Sequence, residues 1–383
     1  MGKIWEVFWR FLALGCVSFG GPAAHIGYFQ TAFVQKLKWI DEASYARLIS
    51  LSQFLPGPGS SQIGFALGVR RAGILGGLAA FIGFTLPSFL LLYVLSITSS
   101  GEHSNDLFSG VVHGLKLLAV IVVADAALSM FNAFCKERLS IAIAVLTVVI
   151  LLWLPNLWTQ MTVLVAAALV GAFFGKPVIT ASETKERFKL LPLILFFALF
   201  LGLPLLAVVS QWVDIFSDFY QAGSLVFGGG HVVLPLLQQT IGDAVSTDRF
   251  LLGYAAAQAV PGPMFSLATF LGAELSSGNP LLGAVVATVA VFLPGFLLVL
   301  SFQGAWESLA AKPKVAGIVW GINAAVVGLL LSALYQPVFT SAVTTPLEMA
   351  LVILGFFALR TMRVPIVLLV VAFGATGLIL HIY

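Results

Sequence analysis

The sequence predicts an all-α polytopic membrane protein with two inverted-topology repeats joined by one extra transmembrane helix. The first observation is composition, because 60% of the 383 residues are hydrophobic and only 9% are charged. The mean hydropathy of +1.05 lies outside the range of soluble domains, in which about a quarter of the residues are charged. The second is that apolar stretches near the roughly 20 residues needed to cross a bilayer recur along the chain. The third is a pattern of Gly- and Pro-rich breaks that occurs twice.

Nine long apolar runs predict transmembrane helices. Their lengths suit a bilayer, and Gly, Pro or charged residues separate them. Two further apolar regions, 5–70 and 216–277, are too broken to form simple spans. The nine runs are 73–97, 107–133, 139–154, 158–175, 190–210, 280–302, 315–335, 346–359 and 364–380.

The two irregular regions contain four clusters of glycine and proline, at 19–22, 56–59, 227–230 and 261–263. Such clusters end helices. Inside a membrane, broken helix is tolerated only where it faces protein or a wet cavity. We therefore predict that each region forms two re-entrant helical hairpins, and that four transmembrane helices follow it in each repeat.

The distribution of basic residues predicts the orientation of the chain. If each broken region begins and ends on one side, alternation of the spans leaves only two of the 19 Lys and Arg residues off that side. These two are Arg249, on the opposite side, and Lys116, inside a span. Basic loops face the cytoplasm, so we predict a cytoplasmic N-terminus and an external C-terminus. The net charge of +3 gives no indication of nucleic-acid binding. The two distant cysteines, Cys16 and Cys135, predict neither a disulfide framework nor a metal site, and no cofactor is expected.

Four ordered segments of the first half match segments of the second half at an offset of 205 to 208 residues. They pair 17–22 with 225–230, 53–58 with 258–263, 86–90 with 293–297, and 113–116 with 320–323. We predict an N-terminal repeat over 1–175, a cytoplasmic linker and connecting helix over 176–212, and a C-terminal repeat over 213–383. The single connecting helix inverts the second repeat. Inverted repeats are typical of secondary transporters, with the site near the membrane midplane.

The four breaks predict an anion site. Each new helix that starts after a break presents unpaired N–H groups and the positive end of its dipole. Serine hydroxyls and glutamine amides near the breaks add hydrogen-bond donors. The alternative is that these small residues only kink or pack helices. The predicted substrate-binding residues are Ser18, Gly20, Gly21, Gln53, Gly57, Gly59, Ser60, Ser61, Lys116, Gly228, Gly229, Gly230, Gln258, Gly262 and Ser266.

Lys116 is included because an ionisable group inside a span is a functional candidate; the alternative is a structural ion pair. The same reasoning makes Asp125 and Glu274 candidates for proton coupling. His25 and His231 follow the first break of each half, and histidine titrates near physiological pH. A packed, hydrogen-bonded histidine is the alternative for both.

At these residues the sequence resembles the chromate ion transporter family. Residues 14–28 read Leu-Gly-Cys-Val-Ser-Phe-Gly-Gly-Pro-Ala-Ala-His-Ile-Gly-Tyr, and Pro-Gly-Pro occurs at 56–58 and again at 261–263. The resemblance covers essentially the whole chain, in the long two-domain form of the family. It implies export of chromate from bacterial cells through the cytoplasmic (inner) membrane, driven by the proton gradient. Chromate is a tetrahedral dianion like sulfate, so the resemblance and the helix-end argument indicate the same class of ligand.

The expected function is therefore secondary active export of a tetrahedral oxyanion, with the proton as coupling ion. Sulfate or another small anion is the alternative substrate. A passive anion channel and an integral membrane enzyme are the alternative classes. The enzyme is disfavoured because the chain has no H-E-x-x-H, no G-x-S-x-G and no paired protease-type aspartates, and it has no nucleotide-binding motif either. Membrane lipid is an expected partner, and a homodimer is compatible with the sequence.

Overall fold

The computed structural model describes residues 2–19, 21–99, 106–175, 188–226, 233–241, 244–304 and 313–382. Every regular element within these ranges is a helix. Five helical segments are long and apolar enough to cross a membrane: Gly59–Ser99, Gly110–Phe134, Leu190–Val209, Pro280–Phe302 and Lys314–Ala342. The protein is thus a polytopic membrane protein, as the composition predicts.

The helices follow the predicted spans and breaks closely. In the first half they are α1 (Gly2–Val17), α2 (Gly21–Phe29), α3 (Glu42–Phe54), α4 (Gly59–Ser99), α5 (Asp106–Phe134), α6 (Arg138–Trp153) and α7 (Leu157–Phe174). The connecting helix is α8 (Leu190–Leu206). The second half contains α9 (Gln211–Leu225), α10 (Val233–Ile241), α11 (Thr247–Ala259), α12 (Leu267–Glu274), α13 (Pro280–Phe302), α14 (Pro313–Ala333), α15 (Pro346–Arg360) and α16 (Ile366–Ile382). A π-helical turn extends α2 over Gln30–Lys36, and another extends α14 over Leu334–Phe339.

The first half begins with two helical hairpins. The chain reverses direction after α1. The contact between Phe11 of α1 and Phe33, beyond α2, shows this, because their ring centroids are 4.8 Å apart. It reverses again between α3 and α4, where the outer ends approach as an Asp41–Arg70 ion pair at 4.0 Å. Asp41 also caps α3 by accepting the Ser44 N–H, which lowers the pKa of this exposed carboxyl.

α4 contains a reversal of its own. Ala72 and Gly73 leave helical geometry, and the φ of Gly73 is +68°. The segments before and after this point pack face to face, since a Cβ on Gly68 would overlap the backbone of Gly76. α12 and α13 pack in the same way through Gly272 and Gly283. The predicted span 73–97 is therefore the second arm of a hairpin that begins at Gly59.

The structure divides into two compact units. The first comprises Met1–Ile97, Ile179–Thr240 and Val260–Lys312. It contains the broken segments of both halves, except α11, and the helix that follows them in each half. Its core is aromatic: Phe65 stacks on Phe296 at 4.3 Å, and Phe81 lies 5.0 Å from Phe292. The connecting helix α8 belongs to this unit and accepts a hydrogen bond from Tyr220 of α9 on the Phe196 carbonyl.

The second unit comprises Thr98–Val178, Ile241–Ala259 and Pro313–Tyr383. Within this unit, helices from each half of the sequence pack on helices from the other half. α5 packs chiefly on α16 and α15, whereas α14 packs chiefly on α7 and α6. Small residues allow this close packing. A Cβ on Gly114 of α5 would overlap the carbonyl oxygen of Phe373, and one on Gly321 of α14 would overlap that of Ala167. Gly114 and Gly321 are equivalent positions in the predicted repeat.

Candidate functional site

The breaks of the two halves meet in the first unit through a reciprocal pair of hydrogen bonds. The Gly57 N–H donates to the Val226 carbonyl at 2.7 Å, and the Gly262 N–H donates to the Ser18 carbonyl at 3.0 Å. Gly57 and Gly262 are equivalent in the predicted repeat, and so are Ser18 and Val226. Each Pro-Gly-Pro break therefore contacts the end of the first helix of the opposite half.

Glycine is needed at the centre of each Pro-Gly-Pro break. Gly57 has a φ of +120° and Gly262 a φ of +110°, conformations that residues with a Cβ rarely adopt. Space is also restricted on both sides. A Cβ on Gly57 would lie 3.1 Å from the Cα of Gly295, and one on Gly262 would lie 2.9 Å from the Oγ of Ser88. Gly295 and Ser88 are again equivalent positions, so the two breaks have matching surroundings.

Three buried serines follow the breaks, and their hydroxyls differ in hydrogen bonding. The Ser266 Oγ lies 2.6 Å from the Ser88 Oγ, and Ser88 donates its own proton to the Thr85 carbonyl. Ser266 must therefore be the donor to Ser88, and its proton is used. The Ser60 Oγ lies 3.2 Å from the Nδ1 of His25. The Ser61 Oγ, although buried, has no hydrogen-bond partner among the described residues.

His25 links two of these elements. Its Nε2 lies 3.1 Å from the Ser18 carbonyl, which can only accept, so Nε2 carries a proton. In the neutral ring, Nδ1 then accepts the hydroxyl proton of Ser60. The ring is fully buried and meets Phe84 edge-on at 5.1 Å. These contacts bring His25, a predicted proton-coupling residue, close to the Pro-Gly-Pro breaks. We call the surrounding residues the break cluster: Ser18, His25, Gly57, Ser60, Ser61, Gln62 and Gly262.

Gln62 was not anticipated from the sequence. Its Nε2 donates to the Pro56 carbonyl at 2.8 Å and lies 3.4 Å from the Gly295 carbonyl, and these contacts orient the amide. Its Oε1 is left without a donor in the described part of the chain. The Ser18 and Thr85 hydroxyls of the same unit are likewise buried and unpaired there. Buried polar atoms without partners are costly, and their concentration in one region is typical of a ligand site.

The start of α4 adds backbone donors to this region. The Gln62 N–H is satisfied by the Pro58 carbonyl at 2.9 Å, but the Ser60 and Ser61 N–H groups have no acceptor among the described residues. Free N–H groups at a helix start carry partial positive charge and favour anions. Together with the Ser61 hydroxyl, which is only 4% exposed, they form a donor-rich site, and the break cluster contains no lysine or arginine.

The other predicted site residues lie in several parts of the structure. A Cβ on Gly21 would contact the Met264 sulfur at 3.7 Å, and Gly59 begins α4 against Ser52. Gln53 is exposed on α3. Gln258 lies in the second unit, where it hydrogen-bonds Tyr254. Gly20, Gly228, Gly229, Gly230 and His231 lie outside the described residues.

The charged candidates have partners of their own. Lys116 donates to the exposed Asp248 at 2.7 Å, both in the second unit. In the same unit Asp125 accepts from Arg360 at 2.9 Å. In the first unit Glu274 accepts from Ser96 at 2.5 Å. Their predicted roles in transport stay predictions. No group of three or more metal-ligating side chains occurs in the ranges that the structure describes.

Comparison with known proteins identifies the family. The chromate transporter family matches the chain twice, over residues 5–172 and 213–378. The chain belongs to the chromate transporter family. This family membership makes the protein a transporter rather than an enzyme, as predicted. No solved structure matches the chain.

Curated relatives support this membership. The chain is 29% identical over 333 residues to a chromate transport protein of Pseudomonas aeruginosa, covering 85% of this chain and 79% of the relative. It is 30% identical over 339 residues to a probable chromate transport protein of Synechococcus elongatus, covering 84% and 81%. A chromate transport protein of Cupriavidus metallidurans is 26% identical over 376 residues, covering 97% and 92%.

Proposed function

We propose that this protein is a secondary active transporter that exports chromate across the bacterial cytoplasmic membrane and binds it at the break cluster. The observation that carries the binding site is that the Ser18 and Ser61 hydroxyls and the N–H groups at the start of α4 have no partner among the described residues. A tetrahedral oxyanion offers acceptors to all of these donors. The names of the relatives support chromate as the substrate.

The donor count within the cluster supports a particular set of ligands. Ser266 donates to Ser88, and Ser60 donates to His25 in its neutral form, so neither hydroxyl has a proton left for an anion. Ser18 and Ser61 retain theirs. Of the residues predicted from the sequence, Ser18 and Ser61 are therefore the proposed side-chain ligands, with Gly57 and Gly262 shaping the backbone between them.

The proposed mechanism is alternating access by two inverted repeats. Three features support the repeat: the family matches twice, the breaks exchange equivalent hydrogen bonds, and the helices of the second unit exchange equivalent partners. Inverted repeats supply two conformations of similar energy, each open to one side of the membrane. We place the N-terminus in the cytoplasm and the C-terminus outside, on the distribution of basic residues.

The proposed energy source is the proton gradient. His25 supports this proposal because it is a buried titratable group whose hydrogen bonds join Ser18 and Ser60. A change in its protonation reverses the direction of the hydrogen bond to Ser60, since a charged imidazole only donates. Proton binding is thereby connected to the donors that surround the anion.

Reconstituted liposomes test the substrate and the transport class together. Purified protein is inserted, and exchange of labelled chromate against internal chromate or sulfate is measured over a range of concentrations. Exchange that saturates, and that sulfate inhibits only when it is in excess, supports a chromate transporter. Flux that does not saturate would indicate a channel, and exchange of sulfate in preference to chromate would assign another substrate.

A further inference from the structure

The first unit contains a cavity between α1 and the π-helical turn that extends α2, and no break-cluster residue lines it. Its volume is about 200 Å³. Its lining is largely apolar and includes Leu14 of α1 and Phe33 of the π-helical turn, while the exposed Arg10 and Lys36 add two positive charges. A cavity whose lining combines apolar and exposed cationic side chains fits an amphipathic anion better than an inorganic one.

The two cations are exposed. Neither Arg10 nor Lys36 has a carboxylate within ion-pair distance among the described residues. The acidic residue one turn before Arg10 is Glu6, and it is paired with Arg71 at 2.9 Å. Two unpaired cations beside one apolar cavity are complementary to a phosphate group that carries a hydrocarbon chain.

The position of the cavity along α1 agrees with such a ligand. Trp5 and Trp9 are 61% and 50% exposed, and they lie on α1 just before Arg10. Exposed tryptophans mark the level of the lipid headgroups, and this end of α1 is the predicted cytoplasmic end. Anionic lipids of the cytoplasmic leaflet bind basic pockets between transmembrane helices at this depth.

We propose that this cavity binds one anionic phospholipid of the cytoplasmic leaflet, with its phosphate between Arg10 and Lys36 and an acyl chain against Leu14 and Phe33. The ionic half of the site sets the charge preference, and the apolar half distinguishes a lipid from a free anion. The proposal does not depend on the substrate of the transporter.

Native mass spectrometry of the purified full-length protein tests this proposal. The probes are phosphatidylglycerol and, as a zwitterionic control, phosphatidylcholine with the same acyl chains. The test variant is Arg10→Gln/Lys36→Gln. The matched control is Lys3→Gln/Lys38→Gln, which removes the same charge from the same end without altering the cavity. Arg10→Lys/Lys36→Arg conserves the charge.

We expect wild type, the matched control and the charge-conserving variant to retain one phosphatidylglycerol. The test variant should lose it, with affinity lowered about thirtyfold for the two basic residues removed. Equal retention by the test variant and the matched control would overturn the proposal, as would equal retention of phosphatidylcholine by wild type. Displacement of the lipid by millimolar inorganic phosphate would assign the site to free anions instead. Thermal unfolding of each variant verifies that it folds, which exposed substitutions of this kind should permit.

Discussion

Ser61 and Ser266 occupy equivalent positions of the two predicted repeats, yet only one of them has a hydroxyl available for a ligand. Replacing each by alanine removes the same atom from a buried serine. Ser61→Ala deletes a hydroxyl without a described partner, whereas Ser266→Ala deletes a donor to Ser88 at 2.6 Å. The pair therefore separates ligand binding from internal packing.

The two substitutions should affect different quantities: Ser61→Ala should mainly weaken chromate binding, and Ser266→Ala should mainly lower stability. A hydrogen bond to a charged ligand contributes about 1.5–3 kcal/mol, so Ser61→Ala should raise the chromate concentration for half-maximal transport by roughly 10- to 150-fold. Its free energy of unfolding should change by less than about 1 kcal/mol, since no internal bond is lost. Ser266→Ala should lower the free energy of unfolding by about 1 kcal/mol and raise half-saturation by no more than about threefold.

Two assays read these quantities separately. Initial rates of labelled chromate uptake into vesicles give half-saturation, and thermal unfolding of purified protein in detergent gives stability. The reasoning fails if Ser61→Ala transports chromate with unchanged half-saturation, or if the two variants shift both quantities alike. In either case the unpaired hydroxyl would have no part in anion binding.

Three further sets of substitutions test other parts of the structure. Gly57→Ala should destabilise by about 1–3 kcal/mol and abolish chromate uptake because of its φ of +120°, whereas Gly59→Ala, in helical geometry with the nearest atom 3.4 Å from its Cβ, should retain uptake. Lys116→Gln and Asp248→Asn should lower the unfolding temperature alike, with a coupling of about 0.5–1 kcal/mol in the double mutant; loss of uptake in the lysine variant alone would instead assign Lys116 to the anion. Gly321→Leu should destabilise by about 1–3 kcal/mol or more by overpacking α14 against α7, and a variant as stable as wild type in thermal unfolding would contradict the observed packing.

The helices and their breaks could be predicted because their causes are local. Proline lacks an N–H and glycine permits positive φ, so a Pro-Gly-Pro sequence ends a helix. Pro56-Gly57-Pro58 follows the end of α3. All nine predicted spans are helical in the structure. Their length could be predicted because it is set by the run of apolar residues in the sequence itself. The repeat also predicted which positions would be related, and Gly57 and Gly262 indeed make equivalent hydrogen bonds.

The sequence could not predict which side-chain donors are free to bind a ligand, because this depends on contacts with residues that are distant in sequence. The sequence treats Ser61 and Ser266 alike. Ser266 finds Ser88 178 residues away, whereas the position equivalent to Ser88 beside the first break is Gly295, which has no hydroxyl. Lys116 is similar, as its partner Asp248 is 132 residues distant.

Gln62 shows what signal was missed. It directly follows the two serines at the start of α4, and the matching position after the second break is the apolar Leu267. A polar residue in an apolar helix, present in one half and absent in the other, was a sign of a specific role. Comparison of the aligned halves for such differences would have identified both Gln62 and Ser88.

The central claim is that the protein moves chromate outward at the expense of the proton gradient. Accumulation of labelled chromate in everted membrane vesicles tests it most directly, because export from the cell becomes uptake into the vesicle. We expect uptake that requires an imposed proton gradient, falls when the gradient is dissipated, and is inhibited by excess sulfate. Absence of gradient-dependent chromate uptake, in vesicles where the protein is shown to be folded and inserted, would contradict the claim.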